Sequence, residues 1–76
     1  MKFKLHRGRL ERELRQSELQ HERILTTALV EKGLGERAAR YGARLIVAAS
    51  RTNDDSVQRS ANAYRQILGM EARFGA

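Results

Sequence analysis

The sequence predicts an all-α fold, a small three-helix arrangement with a long N-terminal helix, and three observations carry that expectation. Proline is absent, and the chain is rich in Leu, Arg, Glu, Ala and Gln, which lose little on entering a helix. Apolar residues recur at steps of three and four in three separate stretches. Between the stretches lie Gly33-Leu34-Gly35 and the polar run from Arg51 to Ser56, both of which read as helix punctuation.

Residues 1–8 form a basic lead-in ending at Gly8, read as flexible or as a short extended arm. The first helix is expected over residues 9–32, with Leu10, Leu14, Ser17, His21, Leu25 and Ala28 on one stripe and Ile24 beside it. Through Gln20 the stripe is thin, which suits a projecting arm or a coiled-coil seam; from Ile24 to Val30 it is dense enough to enter a core. Glycine tolerates the left-handed backbone of a helix end, so Gly33 stops this helix and Leu34 tucks back onto its last turn. A second helix is expected over 36–50, packing through Ala38, Gly42, Leu45 and Ala49 with Ile46 alongside. A third is expected over 54–73, capped by Thr52 or Asn53, with Asp54 and Asp55 facing the positive end of its dipole. Its inner stripe is Val57, Ala61, Tyr64, Leu68 and Ala72, with Ile67 alongside.

Seventy-six residues make one domain, near the lower limit at which a single chain buries enough apolar surface. Domains this short are commonly braced by a disulfide, a metal or a partner. The absence of cysteine removes disulfides and thiolate metal sites. Self-association therefore becomes the expected brace, as a homodimer or by docking onto a larger assembly. Leu10, Leu14, His21 and Leu25 on the first helix, and Ala38, Gly42, Leu45 and Ala49 on the second, are the candidate interface.

Charge indicates what else the chain meets. Fifteen basic residues, twelve of them arginine, oppose nine acidic ones for a net +6. Residues 1–15 carry +4 and residues 36–51 carry +3, with a segment of −1 between them. Arg37, Arg40, Arg44 and Arg51 fall within an arc of about 60° on the second helix, opposite its small-residue side. That row spans roughly 21 Å, enough to follow a phosphate backbone, and nothing in the sequence is expected to neutralise it. A plain solvated face is the competing account, since arginine also serves solubility. The predicted nucleic-acid contacts are Arg37, Arg40, Arg44 and Arg51, with Lys2, Lys4, Arg7 and Arg9 adding attraction from the arm. DNA is preferred over RNA, and binding through phosphates alone implies little base readout.

Other functions find less support. His6 and His21 belong to no nucleophile–base set that spacing defines, so no enzyme is expected, and neither a metal nor another cofactor. Gly33-Leu34-Gly35 follows a helix and has Ala38 where a dinucleotide loop needs its third glycine. No apolar run approaches the length of a membrane span, and His6, Arg7 and Arg9 interrupt what would be a leader's apolar stretch, so a cytoplasmic protein without membrane partners is expected.

From Arg9 to Ser50 the order of features resembles small conjugal-transfer accessory proteins of the TraD or mobilisation type. The matching residues are Arg23-Ile24-Leu25-Thr26-Thr27-Ala28-Leu29-Val30-Glu31-Lys32-Gly33-Leu34, followed by Tyr41-Gly42-Ala43-Arg44-Leu45-Ile46. Thr27 stands where that pattern has glycine, and the basic cluster before the apolar segment is reduced to Arg23. The resemblance implies a helical relaxosome component that associates with plasmid DNA or its relaxase. The expected function is thus a small nucleic-acid-binding accessory or regulator from a plasmid or phage context. The alternative is a non-enzymatic helical adaptor, inhibitor or chaperone that uses Leu19, Met70 and Phe74 on a protein partner.

Overall fold

The computed structural model describes the backbone of residues 2–75 and the side chains of residues 9–75. Three helices follow in order: α1 over Lys2–Glu31, α2 over Glu36–Ala49 and α3 over Asp55–Ile67. The fold is all-α, as the sequence predicts. Helical backbone begins at Lys2 and runs through Gly8, so the expected lead-in is continuous with the first helix.

α1 ends in a full Schellman motif. Gly33 adopts φ 103°, its N–H donates to the Val30 carbonyl (2.9 Å), and the Leu34 N–H reaches back to Leu29 (3.2 Å). Leu34 is half-buried, as expected for a residue closing that motif. The turn sends α2 back along the C-terminal half of α1. α2 packs against both α1 and α3, and is the element that holds the bundle together.

The core is small. Leu25, Leu29, Ala39, Ala43, Ile46, Val47, Ala49 and Ala61 are its buried apolar residues, and four of the eight are alanine. On α2 the buried side comprises Ala39, Gly42, Ala43, Ile46, Val47 and Ala49. This corrects the predicted packing face: Ala38 is exposed and Leu45 only half-buried, because the face is centred on Ala39, Ala43 and Ile46. Gly42 lies under the Tyr64 ring, and a Cβ there would fall 2.7 Å from Tyr64 Cγ. That close approach is what a glycine on the inner side permits.

α3 starts and ends differently from expectation. Its cap is Asp54, whose carboxylate accepts from the Ser56 and Val57 backbone N–H groups, while Thr52 accepts from the Asp54 N–H. It ends at Ile67 and not near Arg73. A second Schellman motif closes it, with Gly69 at φ 72° and the Met70 N–H donating to Arg65 (2.8 Å). Ala72 consequently leaves the helical stripe and is exposed.

Polar residues complete the packing. Gln58, 4% exposed, donates to the carbonyls of Ala49, the last residue of α2, and of Thr52 in the turn after it (both 2.6 Å). Arg65, 2% exposed, donates to Gln58 Oε1 (3.0 Å) and Asn62 Oδ1 (2.7 Å). Burial, and secondarily the Arg73 charge, lowers the Arg65 pKa. Asn62 in turn holds the backbone of Arg73 from both sides, fastening the segment after α3 against it.

Candidate nucleic-acid interface

Arg37, Arg40 and Arg44 lie exposed along α2 as predicted, while Arg51, also exposed, falls in the turn two residues past Ala49, the last residue of α2. The expectation that nothing neutralises the row is wrong. Arg40 pairs with Glu36 one turn earlier (2.9 Å), Arg44 with Glu22 of α1 (3.1 Å), and Arg51 with Glu18 of α1. The antiparallel α1–α2 hairpin explains this. Folding about Gly33-Leu34-Gly35 brings Glu18 and Glu22, one turn apart, beside Arg51 and Arg44, two turns apart. These glutamates are half-buried by the contact.

The hairpin also assembles a wider basic flank. Arg12, Arg15 and Arg23 lie within about 80° of one another on α1, on the side that adjoins the α2 row. A shallow hollow between the helices is lined by Leu19, Glu22, Arg23, Thr26 and Thr27 from α1 and by Glu36, Arg40 and Arg44 from α2. A second hollow lies along α2 itself, between Glu36, Arg37, Arg40, Tyr41 and Arg44. Among the described residues, Arg12, Arg15, Arg23 and Arg37 have no ion-pair partner. The flank as a whole holds seven arginines against Glu18, Glu22 and Glu36, a local +4.

Its paired arginines are not locked away. The Arg40, Arg44 and Arg51 side chains keep 63%, 71% and 64% of their accessible surface. Exposed pairs of this kind are worth about 0–1 kcal/mol, so a phosphate can displace the carboxylate at little cost. Tyr41 sits at the row's edge, its ring 6.1 Å from that of Tyr64 in an edge-to-face contact, and it remains 59% exposed. It therefore packs at the helix junction and also offers a free surface for stacking.

The remaining predicted residues divide clearly. Arg9 is exposed and paired with Glu13 (3.6 Å), while the side chains of Lys2, Lys4 and Arg7 lie outside the described residues. Leu10, Leu14 and His21 are exposed on α1, open to a partner. Leu25, Gly42 and Ala49 are buried in the chain's own core and cannot serve an interface between copies. Ala38 is exposed on α2, and Leu45 is half-buried. Sequence reasoning missed Arg12, Arg15 and Arg23 as one basic side of α1. Their spacing of three and eight residues was the available signal.

Among the described residues, no group of three or more His, Cys, Asp or Glu is placed to hold a metal ion, and no helix is long and apolar enough to cross a membrane. Comparison with protein-family models, curated proteins and solved structures finds no match to this chain.

Proposed function

We propose that this chain is a small, basic, helical nucleic-acid-binding accessory or regulatory protein that works as a homodimer. Phosphates are met along the α1–α2 flank: Arg12, Arg15, Arg23 and Arg37 provide the standing charge, and Arg40 and Arg44 exchange their glutamates for phosphate oxygens. The observation that supports this best is the gathering of four unpaired arginines from two helices on one side, beside a tyrosine with an accessible ring. Arginine forks suit phosphate geometry, and contacts confined to the backbone give affinity with little base preference. DNA within a plasmid or phage system, as the conjugal-transfer resemblance implies, is the partner included in this reading.

The test is titration of labelled duplex DNA and of RNA across a salt series. The four unpaired arginines alone, one phosphate each, give a log–log slope of about −3.6 per monomer and about −7 per dimer on duplex DNA, which exchange at Arg40 and Arg44 steepens. The triple variant Arg12→Gln, Arg23→Gln, Arg37→Gln breaks no ion pair, and it should flatten the slope by about 3 per chain. An affinity that hardly moves with salt, or a triple variant that binds like the parent, overturns the proposal. In that case the adaptor reading gains, favoured by Phe74, which is 80% exposed, and by Leu19.

A further inference from the structure

One face of α1 is left without a partner and has a regular repeat. Leu10, Leu14, Ser17, His21, Ile24 and Ala28 follow one another at alternating steps of four and three, the spacing of a coiled-coil seam. The same helix turns a different side to α2, through Glu18, Glu22, Leu25 and Leu29. The seam therefore stays open: Leu10, Leu14 and Ile24 are 47%, 65% and 60% exposed, and Ser17 and His21 are exposed between them. A shallow, mostly apolar hollow at its C-terminal end is formed by Ile24, Thr27 and Ala28, with Arg23 and Glu31 at its edges. The seam lies opposite the basic side of α1, so occupying it leaves Arg12 and Arg15 free, with Arg23 at the rim of the hollow.

Charge selects what covers it. Residues 2–15 of α1 carry a net +4 and residues 16–31 a net −2. A second copy laid antiparallel keeps the two basic halves apart, each beside the partner's residues 23–31, which sum to zero, and also opposes the two helix dipoles. A parallel copy would set +4 against +4. We infer that α1 pairs antiparallel with α1 of a second copy of this chain, in the register that places Leu14 opposite the partner's Ile24 and Leu10 opposite the partner's Ala28.

In that register Ser17 faces the partner's His21, so the polar middle of the seam matches itself. The bulky N-terminal leucines enter the hollow beside Ile24 and Ala28, twice per dimer. A polar layer within an apolar seam fixes register at the expense of stability. The pairing deepens the homodimer part of the proposed function, and it stands whether or not nucleic acid binds.

The sequence contains no cysteine, which makes the test direct. Single variants Leu14→Cys and Ile24→Cys are prepared without nucleic acid and oxidised separately and as an equimolar mixture. The mixture should yield a disulfide-linked dimer, and neither variant alone should. Sedimentation equilibrium of the parent chain should show a dimer that Ile24→Glu converts to monomer, with helix content by circular dichroism retained, because Ile24 stands outside the core. Efficient cross-linking of Leu14→Cys alone would reveal a parallel pair and overturn the register. A parent chain that is monomeric at about 100 µM would overturn the pairing itself. Both readouts are separate from the salt-series binding test, so loss of one proposal is distinguishable from loss of the other.

Discussion

At the residue scale, Gly42 and Asp54 show how much rests on single small groups. Gly42 sits beneath Tyr64 so closely that even a methyl group must displace the ring's attachment and not merely its tip. Gly42→Ala gains up to about 1 kcal/mol of helix propensity, while crowding a packed core costs typically about 1–3 kcal/mol. A net loss of about 1 kcal/mol is expected, read as a lower denaturant midpoint with an unchanged slope. Asp54 is a different case, since its carboxylate is bonded by the Ser56 hydroxyl and by two backbone N–H groups. The Ser56 hydroxyl first, then the Val57 and Ser56 amides, hold its pKa below the usual 3.8. A depressed acid stabilises the fold above its unfolded pKa, and the contribution fades as pH falls from about 3.8 towards the lower folded value. Asp54→Asn retains a capping oxygen but cannot titrate, so its thermal midpoint should vary less with pH below 4 than the parent's.

Elements raise the question of what the Glu18 and Glu22 pairs do. Each joins α1 to α2 across the hairpin, yet each arginine partner is mostly exposed, so each pair contributes about 0.2–1 kcal/mol. Under the proposed function they also compete with phosphate. The double variant Glu18→Gln, Glu22→Gln should therefore lose at most about 2 kcal/mol of stability while binding duplex DNA more tightly and with a steeper salt slope. Equal or weaker binding by that variant would show that the α2 row does not face the polyanion. These pairs also mark where the sequence was legible and where it was not. The arginine row follows from periodicity within one helix, which local spacing reveals. Its neutralisation depends on a contact 22 residues away in sequence between Glu22 and Arg44, which spacing within α2 cannot show. The helix boundaries divide similarly. Gly33 announced the end of α1, and Leu34 behaved as expected. Gly69 had the same meaning for α3, but the apolar residues Met70, Ala72 and Phe74 continued the pattern past it. The burial of Gln58 and Arg65 was not legible at all, because their partners are the carbonyls of Ala49 and Thr52, Asn62, and each other.

On the scale of the whole molecule, a compact helical hairpin with α3 added gives way to a rod, and the long axis measures 48 Å against 29 and 17 Å. Four alanines among eight buried apolar residues explain why the sequence pointed to a partner: the core is thin because the backbones approach closely, and little large side-chain surface is left to bury. The N-terminal half of α1 has nothing of its own chain to pack on, while α2 has neighbours on two sides. That asymmetry ranks the amides by how readily deuterium replaces their protons. Around Ala43 to Val47, replacement must wait for the whole bundle to open, whereas the isolated chain's first turns of α1 should label almost as soon as they meet heavy water.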